Sequence, residues 1–343
     1  MKAAILEEKY RIAVREVPDL RTGPEELLIE TKFAGVCGSD LHSFKGIHPF
    51  RKAPVILGHE LAGTVAELGK GVRGFRVGDR VTVMPLIACG KCLHCEMGKE
   101  NICLNKKVPG IAGWMGTFAQ YFLSKPSITY KLGEKTSLEV GVLAEPLAVG
   151  IHSVFQQGKV EPGSRVLILG GGTIGILTAL AVKKAGAREI VVTDLFDFNL
   201  KVTGDLCGAK TYTVKEAGLE ERILKDRPEK FDVTFLCSGA PATVKQALTL
   251  TRRGGRIVVV GLFLEPIPME LPMVSLNELE IVGSSVYNHE DFKKAVEWID
   301  SGIFDFKKLI THILPMEKAQ EALNILDEHK ENVIKILLDL RQR

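Results

Sequence analysis

Arg165-Val-Leu-Ile-Leu-Gly170-Gly-Gly-Thr-Ile-Gly175, with Ile190-Val-Val-Thr-Asp194 after it, decides the fold of the second half of this chain. An apolar run meets three glycines, a helical stretch then runs to Lys184 and stops at Gly186, and a second apolar run follows. Strand, turn, helix and strand in that order form a βαβ unit. The spacing Gly170-x-Gly172-x-x-Gly175 is weak evidence by itself. Here it follows a strand, opens a helix, and precedes Asp194 at the end of the next strand, nineteen residues past Gly175. In that setting the first glycine permits the turn, the second lets a pyrophosphate approach the backbone, and the third lets helix and strand pack closely. The first helical turn, Thr173 and Ile174, then faces the phosphates with its partial positive charge. Asp194 is expected to accept from the adenosine ribose hydroxyls and to repel the extra phosphate of NADP. Arginine is absent from Leu195 to Lys201, so NAD is the expected cofactor.

Further apolar runs at Phe231 to Cys237, Arg256 to Gly261 and Leu279 to Ser284 alternate with helical material. One of these helices has Pro241 in its first turn and Gly254 just past its end. Such alternation predicts an α/β doubly wound parallel sheet, buried on both faces. The first 150 residues differ, with short β-rich pieces at Met1 to Glu7, Glu26 to Phe33, Leu61 to Leu68, Arg80 to Met84 and Thr117 to Leu123. Glycine and proline turns between them predict a compact, barrel-like all-β domain. After Ser285 come amphipathic helices near Glu290 to Asp300 and Glu317 to His329, and a last strand, Val333 to Leu340. The expected organisation is a catalytic domain of residues 1–150 completed by 286–343, and a dinucleotide domain of 151–285, packed around a shared cleft.

Composition narrows the function. Of 343 residues, 45% are apolar and 25% charged, as in an ordinary globular protein. Forty-five basic against forty-two acidic residues gives +3, with the charges interspersed, so no nucleic-acid footprint stands out. Glu7, Glu8 and Lys9 follow Met1 to Leu6 directly and leave no signal-peptide core, so a cytoplasmic protein is expected. The uncharged apolar stretch Val166 to Val182 falls short of the ~18 to 20 residues of a membrane span, and Gly170 to Gly172 interrupt it. No membrane partner is expected. Seven cysteines in such a chain argue against a disulfide framework, and Cys89, Cys92, Cys95 and Cys103 crowd together.

Cys89-x2-Cys92-x2-Cys95-x7-Cys103 offers four thiolates, which satisfy tetrahedral zinc with no open position and so predict a structural zinc. An iron-sulfur cluster fits less well, because its ferredoxin run has three residues before the fourth cysteine and a proline after it. A third constellation is Cys37-Gly-Ser39-Asp40-Leu-His42, then Gly58-His59-Glu60, then Glu145-Pro146. Thiolate, imidazole and carboxylate together would hold a second zinc with a position left for substrate. Each residue also has an ordinary reading: Cys37 as core, His59 in a turn, Glu145 as a helix N-terminal charge.

Taken together, the glycine fingerprint, the four-cysteine lobe and the Cys37, Gly58-His59-Glu60 and Glu145 sequence resemble the zinc-containing medium-chain alcohol dehydrogenases over essentially the whole chain. The resemblance implies a GroES-like first domain and a Rossmann second domain. It implies that Cys37, His59 and Glu145 are ligands of a catalytic zinc, that Glu60 lies beside the metal and can enter its shell, and that Lys335 faces Glu60. Ser39 is then the hydroxyl that receives the substrate proton, His42 the end of that relay, and Asp40 the group that orients His59. Glu145-Pro-Leu-Ala-Val-Gly-Ile-His152 resembles the sorbitol-type polyol dehydrogenases, and His48-Pro49-Phe50 resembles sugar-acid oxidoreductases of that branch.

The reaction so implied is oxidation of a secondary hydroxyl of a polyol, sugar or sugar acid by hydride transfer to NAD. L-Threonine 3-dehydrogenase is the alternative, and a zinc- and NAD-binding redox sensor without turnover is the reading from another class. The resemblance implies a homo-oligomer, since relatives are commonly dimers or tetramers. Thr117 stands where glycine is common, a change that could alter the substrate pocket, and Asn199 where the branch has an arginine near the adenosine. Trp114 and Phe118 are open between pocket and core. Cys207 and Cys237 are expected in the core, and His94, His152, His289, His312 and His329 in structural roles.

Overall fold

The computed structural model describes residues 1–111, 113–328 and 332–341. The chain forms two compact units, one of Met1–Glu145 with Asn288–Arg343 and one of Pro146–Tyr287. His329, the predicted end of a C-terminal helix, lies outside the described residues.

The second unit carries a six-stranded, all-parallel sheet in the order Lys210–Thr213, Glu189–Asp194, Arg165–Leu169, Phe231–Leu236, Thr251–Val259, Glu280–Gly283. Sequence order therefore reverses between Arg165–Leu169 and Phe231–Leu236, the position at which such sheets open a crevice for ligands. Val166 to Leu169 are fully buried, which is why the run shows no polar alternation. The helix Thr173–Lys184 buries every residue from Gly175 to Val182, so its amphipathic signal is weak. The helix expected to stop at Gly254 is Ala242–Leu250, and the strand Thr251–Val259 follows at once. Gly254, at φ +66°, serves an irregularity within that strand.

The first unit is built on a seven-stranded sheet and a three-stranded one. Leu27–Val36 is central to the larger sheet and pairs with Glu60–Leu68, Tyr121–Ser124 and Lys335–Asp339. The C-terminal strand thereby returns to the first domain's sheet, next to the strand that leads into Cys37. A further strand, Ile310–Pro315, which the sequence pattern does not announce, pairs parallel with Lys335–Asp339. The helix His289–Ser301 starts at an Asn288 capping box, with Asn288 Oδ1 accepting from the Asp291 N–H at 2.9 Å, and stops at Gly302 with φ +61°. The stretch Leu138–Gly158 is helical, long and apolar enough to cross a membrane, but most of it is buried core.

Candidate functional site

Cys37 ends the strand Leu27–Val36 and caps the short helix Gly38–Phe44. Asp40, at the third helical position, accepts from the Cys37 N–H at 3.1 Å, so the helix start itself fixes both side chains. The other Asp40 oxygen accepts from the Gly58 N–H at 3.1 Å and lies 3.7 Å from His59 Nδ1. Asp40 is fully buried. Burial opposes its charge, but the His59 ring, the Arg51 guanidinium and the Cys37 N–H hold its pKa down at about 2. Burial likewise opposes an imidazolium at His59, yet the Asp40 carboxylate raises its pKa well above the ordinary value, with Arg51 opposing. A carboxylate that favours a proton on Nδ1 leaves Nε2 as the lone pair for a metal.

Cys37, His59 and Glu60 present ligand atoms within 4.8 Å of one another. Lys335 Nζ donates to both Glu60 oxygens at 2.7 Å and to the Val36 carbonyl at 3.2 Å, with both side chains buried. Burial would push Lys335 toward neutrality, but Glu60, then Cys37 and Glu145, raise its pKa. Glu145 is buried in the first turn of Ala144–Ile151, near enough to act on Lys335, but stands outside the three-residue set. Thiolate, imidazole and carboxylate converging in a buried site fit zinc.

Ser39 and His42 lie three residues apart on the helix Gly38–Phe44 and so share a face. His42 Nδ1 is buried without a hydrogen-bond partner, and burial followed by the Lys45 charge keeps the ring pKa below its ordinary value. Arg51, which no spacing argument identifies, reaches this cluster. Its Nη1 lies 3.3 Å from Ser39 Oγ and 3.4 Å from His59 Nδ1, while its Nε donates to the Pro109 carbonyl at 3.1 Å. His48 Nδ1 accepts from the Phe50 and Arg51 N–H groups, and burial together with Arg51 lowers its pKa to about 4.

Cys89, Cys92, Cys95 and Cys103 form the second set within 4.8 Å. Their sulfur separations are 3.5 Å for Cys92 to Cys95, 3.8 Å for Cys92 to Cys103 and 4.0 Å for Cys89 to Cys95. Four sulfurs on a tetrahedral zinc at about 2.3 Å stand roughly 3.8 Å apart, so the cradle has the right size. The Leu104 and Cys95 backbone hydrogen bonds bring Cys92 down to about 6, whereas burial and its neighbouring thiols push Cys95 up to about 12. A cation is needed before all four can be thiolates. The 3₁₀ turn Glu100–Ile102, just before Cys103, is tied to the rest of the unit by a chain in which Tyr130 Oη meets His289 Nδ1 at 2.9 Å and His289 Nε2 meets Glu100 at 3.3 Å.

In the second unit, each fingerprint glycine shows its own constraint. Gly170 has φ +108°. A Cβ on Gly172 would meet nothing within 4 Å, whereas one on Gly175 would lie 1.7 Å from the Gly170 carbonyl oxygen. Thr173 and Ile174 open the helix and are half-exposed. Asp194 accepts from the Gly171 N–H at 2.6 Å and the Phe196 N–H at 2.7 Å, which joins its carboxylate to the glycine turn. Asn199 is buried, with its Oδ1 unpartnered.

Neither Phe118 nor Thr117 lines an open face. Phe118 is fully buried in an apolar cluster with Leu57 and Phe44, and Thr117 Oγ1 donates to the Glu60 carbonyl. Trp114 donates to the Leu123 carbonyl and packs on Phe122. Cys207 and Cys237 are enclosed thiols pushed up to about 12 by burial.

Comparison with known proteins agrees with this geometry. Residues 23–134 match the alcohol dehydrogenase GroES-like domain and residues 173–301 the zinc-binding dehydrogenase domain. The chain belongs to the zinc-binding alcohol dehydrogenase family. It is 33% identical to sorbitol dehydrogenase of Bacillus subtilis, with 98% of this chain and 97% of that protein covered. It is 34% identical to L-idonate 5-dehydrogenase of Vitis vinifera, over 93% and 89% of the two chains. A crystal structure of a zinc-binding dehydrogenase from Sinorhizobium meliloti bound to NADP superposes with a TM-score of 0.92 at 30% identity, over 99% of each chain.

Proposed function

We propose that this protein oxidises a secondary hydroxyl of a polyol, sugar or sugar acid to a ketone, reversibly, by hydride transfer to NAD. The observation that carries the reading is the buried convergence of Cys37, His59 and Glu60, with Asp40 behind His59 and Ser39 and His42 on the adjoining helix. The substrates named for the Bacillus and Vitis relatives support the substrate class. Cys37, His59 and Glu145 would hold the catalytic zinc, and the four-cysteine lobe a structural one. When bound, zinc supplies Lewis acidity toward the substrate hydroxyl and NAD accepts the hydride.

The chain's own residues supply position and proton handling. Asp40 fixes the His59 ring and its Nδ1 proton. Ser39 Oγ takes the proton of the reacting hydroxyl, and His42, whose pKa is lowered by burial and then by the Lys45 charge, passes it outward. Lys335 donates to both Glu60 oxygens and holds the carboxylate in place beside the metal site, with a lone pair left on each oxygen. Gly170, Gly172 and Gly175, with the helix start at Thr173 and Ile174, cradle the pyrophosphate, and Asp194 reads the ribose and favours NAD over NADP. Seven cysteines with no disulfide among them suit a reducing cytoplasm, and the family resemblance supports a homodimer or homotetramer.

The test is NAD and NADP reduction by zinc-loaded protein with polyols, aldonic and uronic acids, simple secondary alcohols and L-threonine. Chelator-sensitive activity with a polyol or sugar acid is expected, and His59→Ala should abolish it while retaining NAD binding. A preference for threonine, or full activity of His59→Ala at verified metal content, would overturn the reading. An Asp194→Ala variant with an unchanged NAD to NADP ratio would remove Asp194 from ribose recognition.

A further inference from the structure

Arg51 is a buried cation, 7% exposed, and the reaction outlined above assigns it nothing. Its three contacts hold the guanidinium edgewise: Nε on the Pro109 carbonyl at 3.1 Å, and Nη1 between Ser39 Oγ at 3.3 Å and His59 Nδ1 at 3.4 Å. Nη2 has no hydrogen-bond partner among the described residues. The nearest acid, Asp40, approaches Nη1 only to 3.7 Å and already accepts from the Cys37 and Gly58 N–H groups. With a metal on His59, the Nδ1 hydrogen faces Asp40, and Nη1 can no longer donate to Nδ1. Arg51 then has one hydrogen-bond partner in the cluster, Ser39, with Asp40 as its ion-pair partner at 3.7 Å, and N–H donors to spare.

A guanidinium is planar and matches a carboxylate with two parallel hydrogen bonds. Neighbouring cations are committed elsewhere. Lys45 is paired with Asp327 at 2.7 Å and Lys335 with Glu60 at 2.7 Å. Arg51 faces the Asp40 carboxylate at 3.7 Å without a hydrogen bond to it, so the N–H donors of Nη2, beside Ser39, are what a ligand's carboxylate can take. We propose that Arg51 binds a carboxylate of the substrate, one or two carbons from the carbinol that meets Ser39, and so makes a hydroxy acid the preferred substrate over the neutral polyol. This rests on the placement of Ser39 and the metal centre given under Proposed function.

The experiment compares substrates that differ only in the carboxylate, D-gluconate against D-sorbitol and D-glycerate against glycerol, on zinc-loaded protein with NAD. Glycerol 3-phosphate provides a phosphate arm. The ratio of kcat/KM for acid over polyol is expected to favour the acid by about 30-fold and to collapse in Arg51→Gln, with Arg51→Lys retaining part of it. A wild-type ratio near one, an unchanged ratio in Arg51→Gln, or a preference for the phosphate would overturn the carboxylate assignment. An equilibrium readout runs beside it, calorimetric binding of 2-hydroxyisobutyrate, a tertiary hydroxy acid that cannot be oxidised, against the neutral 2-methylpropane-1,2-diol. Wild type should bind the acid more tightly and Arg51→Gln should lose that margin; equal binding of the two ligands by wild type overturns the proposal. If Arg51→Gln fails to fold or to retain zinc, wild type and Arg51→Lys decide through the same two ratios. No turnover of any polyol or acid, with zinc and NAD bound, would sink the proposed reaction, while calorimetry alone would still decide Arg51.

Discussion

Lys335, from the last strand, donates to both carboxylate oxygens of Glu60 at 2.7 Å although 275 residues separate them in the chain. The pair ties the C-terminal strand to the Gly58-His59-Glu60 segment, and neither side chain reaches water. Breaking such a pair from one side leaves an uncompensated buried charge and costs roughly 3 to 5 kcal/mol, whereas removing both charges costs far less. Lys335→Met is therefore expected to be much less stable to urea than the wild type, and the Glu60→Gln, Lys335→Met double variant should regain most of the loss. Additive losses would show that the two residues do not act as a pair.

The two inner fingerprint glycines should respond in opposite ways. Gly175→Ala places a methyl 1.7 Å from the Gly170 carbonyl oxygen, a backbone collision that only movement of helix or turn can relieve. Its expected signature is a fall in thermal stability worth about 2 kcal/mol or more. Gly172 has an ordinary φ of −73° and open space where its Cβ would stand. Gly172→Ala should keep the melting temperature and lose NAD affinity in a fluorescence titration, because the methyl occupies the approach of the pyrophosphate. Unimpaired NAD binding by Gly172→Ala would move the cofactor away from this turn.

Legibility of the chain followed burial. Val166 to Leu169, buried on both faces, gives a continuous apolar run that hardly any other element imitates. The cysteine lobe reads directly because its ligands are close in sequence and tetrahedral sulfur fixes their spacing. Ile310–Pro315 does not read as a strand, since its six residues are half-exposed and include Thr311, His312 and Pro315; its partner Lys335–Asp339 specifies it. The helix ahead of Gly254 ends three residues early for a similar reason, because pairing with Phe231–Leu236 claims Thr251. Phe118 and Trp114 were open between core and pocket, and tertiary packing alone places them. Arg51 left no signal, as one arginine in a loop carries no period or spacing, and only distances to Ser39 and His59 single it out.

Acid should weaken the second unit through Asp232. Its carboxylate accepts from the Arg165 N–H at 2.7 Å and from Arg252 Nε at 2.6 Å. Burial works against the charge, but these bonds and the two guanidinium groups bring its pKa below the ordinary carboxylate value. A lowered folded-state pKa means that the contribution is complete above the unfolded value, roughly pH 4, and is lost as pH falls through the folded one. Asp232→Asn should cost about 1 to 2 kcal/mol near neutrality, and the gap between variant and wild type should close as the pH falls below about 4 in urea titrations. A gap independent of pH would assign the loss to packing.

His289 bridges Tyr130 at 2.9 Å and Glu100 at 3.3 Å, and Glu100 opens the turn that delivers Cys103. The bridge is half-exposed, so its worth to global stability is small, on the order of 1 kcal/mol. Its effect should instead be local, because opening of the cysteine lobe governs how fast a chelator reaches the metal. His289→Ala is expected to leave the melting temperature within a few degrees of wild type and to release one zinc per chain several-fold faster to a colorimetric chelator. Identical release from both proteins would show that the four sulfurs hold the lobe without help from the Glu100, His289 and Tyr130 chain.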